Sequence, residues 1–252
     1  MAEENVFGKP ITEADNTASE KPITESEEVN VLDEAALELT LSEARSGSNL
    51  FGPVIDQAFV MGIPEYANRA RLDRSVVAMQ WKDRGGNYTA AVDYVREVKR
   101  RWGNGVSTLC VLYNGTGERL TYHTDNDWWG SIYLPYPQII ENGQWACFFH
   151  VKRTAAASGS MGTVVYRGKN KEGEDTDWLV AWDNPWNTLR FTNQAYAEIN
   201  QAGHYDRIDW EALGRTISSA GRQYRAAWRG CVAQVQTEID TSPLWEGVLS
   251  LE

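Results

Sequence analysis

Histidine and cysteine are scarce in this chain, and much reactive chemistry goes with them. There are three histidines and three cysteines in 252 residues. No Cys-x-x-Cys and no His-Glu-x-x-His occurs, so the common zinc frames are missing. Cys147 and His150 form Cys-x-x-His, but on a strand positions i and i+3 face opposite ways and cannot share a metal. An odd count of three thiols fits reduced cysteines better than a disulfide framework. There is no Gly-x-Ser-x-Gly elbow and no Gly-x4-Gly-Lys-Ser/Thr loop. "GSMG" (159–162) lacks the second glycine at the right place. His204, in "GHY", has no nucleophile beside it and reads as structural. No catalytic residue, metal or cofactor is assigned, and the expectation is a protein that is not an enzyme.

Long apolar runs are also lacking. No stretch of eighteen or more apolar residues exists, so no transmembrane helix is expected. The start, "MAEENVFGKP", is acidic and has no apolar core of a secretory signal, which points to a cytoplasmic location. The sequons at Asn87 and Asn114 are then expected to be unused. Positive charge is short too. Residues 1–50 hold twelve Asp/Glu against three Lys/Arg, a net of −9, while the other 202 carry −2. Neither part offers the basic surface that phosphate backbones need, so no nucleic-acid partner is expected.

What the chain does have is aromatic side chains and glycine: eleven Trp, eleven Tyr and 21 Gly. The charge imbalance divides it into an acidic, weakly ordered extension, residues 1–48, and a domain, residues 49–252. "KPITEADN" (9–16) recurs as "KPITESEE" (21–28), and "NVFGKPITE" (5–13) is echoed by "NLFGPVIDQ" (49–57). The extension thus partly duplicates the domain's own start. A short helix at Asp33–Arg45 and a linker "SGSN" (46–49) complete it. So charged a segment buries little apolar area, and its removal should leave the thermal midpoint nearly unchanged.

Helical patterns come first in the domain. Residues 71–81 are brief. In 88–102, Val92, Val95, Val98 and Trp102 recur at helical spacing, with Thr89 as candidate N-cap and "GNG" (103–105) as the stop. The period then changes from 3.6 to 2. Residues 106–124 read as two strands around Asn114–Gly115, a hairpin signal. Further strands are expected at 145–152, 161–169, 177–182 and 231–239, the last with Cys231, Ala233, Val235 and Ile239 on one face. Residues 193–199 fit a strand or a short helix. "DWEALGRTISSAG" (209–221) is helical, with Gly221 suited to its end. The fold class is mainly β (α+β): a β-sandwich flanked by two helices, with an extra N-terminal acidic arm.

"DWLVAWDNPWN" (177–187) carries three tryptophans four residues apart. Helical spacing would align them, but Pro185 breaks a helix there and Asn184 before it favours extended backbone. The stretch parses as a strand, Trp178–Trp182, with both faces apolar as in a doubly covered strand. A turn then throws Trp186 onto a loop. Trp145, Trp178 and Trp182 are assigned to the core. Loop aromatics beside Gly and Pro are different, since a loop cannot easily bury two rings. Trp128–Trp129, "YLPYP" (133–137), Trp186, Tyr205 and Trp210 are of this kind, and such rings suit a membrane interface.

Several stretches together resemble the small jasmonate-induced protein family of plants (23 kDa type). They are "GNGVSTLCVLYNGTG", "PYPQIIENGQWACFFHV", "SGSMGTVVYRGK", "DWLVAW" and "AYAEINQAGHY", and the likeness runs from about Asn49 to Ile239. That family is more distantly similar to nakanori, a fungal sphingolipid- and cholesterol-binding protein, and to the actinoporin-like lipid-binding fold. The resemblance implies an actinoporin-like β-sandwich and a headgroup pocket built from loop aromatics. Its ligand-binding residues would fall at Trp129, Gly130, Gly159, Met161, Asp183, Pro185, Trp186, Tyr205 and Trp210. Where actinoporins carry an Arg before Ser-Gly, this chain has "WWGS", so the headgroup phosphate lacks one partner. The helix at 88–102 is too charged and too short to span a bilayer, and pore formation is not expected. The resulting expectation is a stress or defence protein, peripheral rather than transmembrane, that binds a membrane lipid headgroup. Tryptophan platforms with Asp183, Asn184 and Asn187 equally suit a lectin-like module whose partner is a glycan.

Overall fold

The computed structural model describes residues 49–66 and 70–252. The helix expected at Asp33–Arg45 and the acidic extension lie outside the described residues. Two β-sheets face each other. Sheet A holds β1 (Leu50–Phe51), β2 (Ser107–Gly115), β4 (Ser131–Leu134), β6 (Trp145–Val151), β10 (Gln223–Trp228), β11 (Cys231–Thr237) and β12 (Leu244–Leu251), in the order β1-β6-β2-β12-β11-β10, with β4 also on β6. Sheet B holds β3 (Leu120–Trp129), β5 (Ile139–Ile140), β7 (Ser160–Lys169), β8 (Asp175–Asn184) and β9 (Gln194–Gln201), in the order β5-β3-β7-β8-β9. All pairings are antiparallel except β12 with β2, which is parallel.

The period-2 pattern explains how three layers of core arise from two sheets. On β8, Trp178, Val180 and Trp182 point between the sheets, where they meet Phe148, Trp245 and Leu249. Leu179 and Ala181, on the other face, pack under Leu213 and Ile217 of α4 (Trp210–Ile217). β8 is therefore covered on both faces, as its unbroken apolar run requires. β6 behaves alike: Ala146 and Phe148 look into the sandwich, while Trp145, Cys147 and Phe149 look out onto α3 (Asn87–Trp102). Ala91, Val92, Val95 and Val98 of α3 form the stripe that covers them. Thus one helix closes each sheet. The shorter α1 (Gln57–Met61) and α2 (Arg71–Trp81) share a small cluster around Ile55, Val60, Val77 and Ala78.

Several local expectations are corrected. Asn114–Gly115 is no hairpin turn, because β2 and β3 belong to different sheets. Asn114 is buried, and its Nδ2 donates to the carbonyls of Glu118 and Ile140, both at 2.8 Å. The asparagine fixes a crossing between sheets. The N-cap of α3 is Gly86 and not Thr89. α4 ends at Ile217 with Ser218 as its cap, three residues before Gly221. Of residues 193–199, all but Asn193 belong to strand β9. β8 runs two residues past Trp182, and Ile239 is exposed beyond the end of β11. Tyr136 of "YLPYP" is buried between the sheets, its ring stacked on Tyr122 at 6.1 Å. Asn49 is a buried anchor and not part of a linker.

Candidate functional site

Four neighbouring strands of sheet B end in one row. Trp129 pairs with Met161, Met161 with Asp183, and Asp183 with Gln194. Directly opposed residues share a face, so the row lies on the outer side of sheet B, beside the end of α4. Met161 is buried there with Leu213 and Ile217. Ser218, capping α4, donates from Oγ to Asp183 Oδ2 at 2.7 Å. Trp129, at the end of β3, stands half out of the protein.

Above this row the chain makes a loop, residues 185–192, pinned at both ends by side-chain amides. Asn184 is buried, and its Nδ2 donates to Ser107 O at 2.8 Å and Thr241 O at 3.0 Å, tying the end of β8 to sheet A. Asn193 Nδ2 donates to the carbonyls of Glu238 and Asp240, each at 2.9 Å. Gln194 bonds Thr192 O through Nε2 and Gly221 N through Oε1. Gly159 lets the preceding loop pass close by; a Cβ there would stand 2.5 Å from Asn184 O.

Between the two loops lies a cavity of about 700 Å³. Trp129, Gly159, Asp183, Pro185 and Trp186, five of the positions expected from sequence, line it. Arg190, Phe191 and Ser218 also line it and were not foreseen. Its rim is apolar and open: Trp129 is 52% exposed, Trp186 56%, Phe191 53%, and Leu189 of the same loop fully so. Two arginines lie on rings here, Arg190 over Phe191 at 5.4 Å and Arg153 over Trp129 at 5.7 Å. Burial lifts the Asp183 carboxyl above the usual carboxylate range, and the Ser218 hydroxyl opposes that shift. A partly dried carboxylate at the floor of an aromatic cavity is suited to a cationic group or a hydroxyl donor.

A second cavity, of about 580 Å³, adjoins the first across Trp129. Met161 and Trp210 line it, with Arg153, Glu211 and Arg215. Trp128 holds Trp210 edge-on at 6.3 Å and donates from Nε1 to its carbonyl at 3.1 Å. Two expected positions line neither cavity. Gly130 turns the chain after β3 at φ +104, where a Cβ would collide with Val151 O. Tyr205 is buried under sheet B: Gly203, at φ +83, opens a short turn that lays the ring against Leu213 and Ile217.

The fold also assembles a serine, a histidine and an aspartate that the sequence reading did not connect. His150 Nδ1 lies 2.8 Å from Ser160 Oγ and Nε2 3.1 Å from Asp127 Oδ1. Ser160 Oγ also bonds Thr108 at 2.8 Å, and Ser160, His150 and Thr108 are fully buried. The hydroxyl faces no solvent, so this network pins the two sheets together. Among the described residues no group of His, Cys, Asp and Glu is placed to hold a metal ion, and no helix is long and apolar enough to cross a membrane.

The chain is 39% identical over 170 residues to the "23 kDa jasmonate-induced protein" of Hordeum vulgare, covering 66% of this chain and 80% of that protein. It is 33% identical over 109 residues to a "Jasmonate-induced protein homolog" of Atriplex canescens, covering 42% and 58%. The crystal structure of the lipid binding protein Nakanori superposes with a TM-score of 0.73 at 28% identity, covering 80% of this chain and 99% of that one. None of these relatives is named as an enzyme. A family model described as Nakanori-like protein matches residues 51–252, and the chain belongs to that family.

Proposed function

We propose that this is a non-enzymatic, peripheral lipid-binding protein of the cytoplasm, acting in the stress or defence response. It docks on a membrane through Trp129 and the loop 185–192 and takes a sphingolipid-like headgroup into the cavity above Asp183. One observation carries this reading. Three large apolar side chains, Trp129, Trp186 and Phe191, stand more than half exposed around one cavity mouth, and Leu189 of the same loop is fully exposed. A soluble surface rarely gathers such rings without a partner, and tryptophan is favoured where one end is apolar and the other wet. Arg153 and Arg190, stacked on two of these rings, can keep their guanidinium ends among lipid phosphates. The names of the relatives, jasmonate-induced and lipid binding, support the same class.

Flotation with sphingomyelin–cholesterol and with phosphatidylcholine vesicles tests the proposal. Wild type should float with the first, and Trp186→Ala and Leu189→Ala should each lose most of that binding. Equal, absent binding of all three proteins would sink it. The same cavity joins rings to Asp183, Asn187 and Gln194, groups that also hydrogen-bond sugars. A positive glycan array with negative vesicles would favour a lectin-like module.

A further inference from the structure

One cavity collects the positive charge that most of this surface lacks. It holds about 610 Å³ and lies where β3 and β8 begin and β7 ends. Arg71, Arg119, Arg167 and Lys169 line it. Two carboxylates, Glu118 and Asp175, share the lining. Residues 51–252 carry a net charge of −2, so four cations against two carboxylates is a local reversal.

Each cation is held by a partner. Arg167 forms a two-pronged pair with the fully buried Asp177, Nε to Oδ1 at 2.7 Å and Nη2 to Oδ2 at 2.9 Å. Asp177 is fixed in turn by Gly203 N, which donates to Oδ2 at 2.7 Å. This leaves Nη1 of Arg167 for another acceptor. Arg119 Nη2 lies 2.6 Å from Glu141 Oε1. Arg71 is pinned by carbonyls instead: its Nη2 donates to Asn170 O, and to Lys171 O at 2.7 Å. Among the described residues no carboxylate pairs with Arg71, and its buried Nε has no hydrogen-bond partner. Of the two lining carboxylates, Glu118 is engaged by Arg74, which does not line the cavity, and Asp175 by Lys169 at 2.8 Å. His123 completes the wall, its Nε2 2.7 Å from Asp206 Oδ1 and 3.1 Å from Arg167 Nη2.

We infer that this cavity binds a compact, soluble anion carrying more than one phosphate group. Guanidinium groups fixed in advance suit phosphate oxygens, which they meet two at a time. Cations spread around a cavity of this size suit several charges better than one. The position selects the source. Thr121, on the cavity wall, precedes Trp129 by eight residues on β3, roughly 25 Å of strand. With Trp129 and the loop 185–192 on a bilayer, the cavity faces water at the other end of sheet B. The soluble source rests on that proposed docking; the anion site itself does not.

Isothermal titration calorimetry of the full chain with inorganic triphosphate at low salt tests this. Wild type should bind triphosphate, and orthophosphate about ten-fold more weakly. The Arg119 and Lys169 side chains are 57% and 43% exposed, in surface pairs, so Arg119→Gln/Lys169→Gln should fold with the circular dichroism of wild type. It should lose about ten-fold or more in triphosphate affinity and still float with sphingomyelin–cholesterol vesicles as wild type does. Asp175→Asn, which removes the carboxylate competing for Lys169, should bind triphosphate more tightly than wild type. A role in folding alone would not give that sign. No heat with wild type, equal affinity in wild type and the double variant, or orthophosphate bound as tightly as triphosphate would each overturn the inference. Flotation with phosphatidic acid vesicles that the double variant loses would place the anion in a bilayer and overturn the soluble source. Calorimetry needs no vesicle, so failure of the docking and failure of this site are read separately.

Discussion

Trp182 of sheet B and Trp245 of sheet A meet in the middle of the sandwich, ring centroids 6.2 Å apart, and Trp245 Nε1 donates to Ala181 O at 3.1 Å. Trp245 thus anchors on the opposite sheet, while the buried Trp182 Nε1 has no hydrogen-bond partner among the described residues. Both are essentially inaccessible. Trp245→Ala should cost about 3–5 kcal/mol, since it leaves a cavity and removes the hydrogen bond to Ala181 O. Trp186→Ala, at the exposed rim, should stay within about 0.5 kcal/mol of wild type. Urea unfolding followed by far-UV circular dichroism separates the two.

Asp183 gives a pH dependence with a definite sign. Its folded-state carboxyl titrates above the ordinary carboxylate range because it is buried. The native state therefore holds this proton longer than the unfolded chain does. Stability from this group is complete at low pH and is lost as pH rises through the raised value. Asp183→Asn should accordingly melt higher than wild type at pH 7, and the gain should fade toward pH 4 and below. A gain that persists unchanged at pH 3 would contradict this assignment.

The three thiols should be inert in the native protein. Cys110 and Cys147 are fully buried and titrate well above the usual thiol, and burial pushes Cys231 up to about 12. Thiolates, not thiols, react. Ellman's reagent should count none at neutral pH in buffer and three in guanidinium.

Gly130 was expected to touch ligand; the structure gives it a turn. Gly130→Ala should destabilise by more than about 1 kcal/mol, because alanine there meets both an unfavourable φ and Val151 O. Vesicle binding, scored per folded molecule, should be retained.

Much of the sandwich was legible because burial leaves a period. The run from Trp178 to Trp182 and the stripe Val92–Val95–Val98 each have one physical explanation, and the fold follows it. Asn114–Gly115 misled because an asparagine amide can serve a turn or a buried carbonyl equally well, and only the partner decides. Tyr205 misled because a ring in a turn is buried by whatever happens to lie beneath it. Leu189, Arg190 and Phe191 escaped notice for the converse reason: nothing in a short loop with no period says that apolar side chains stay outside. β12 alternates buried and half-buried residues throughout, yet its partner β2 lies 135 positions earlier, at Leu109 opposite Leu244.

That last pairing has a kinetic consequence. β12 sits between β2 and β11, so until it arrives sheet A is split, and the facing edges of both strands are bare. Joining them requires a contact far apart in the chain, which slows folding. Nascent chains that have not yet made residues 244–251 carry two open strand edges, the state most prone to pair with a neighbour. The protein should depend on chaperones until these residues have been made.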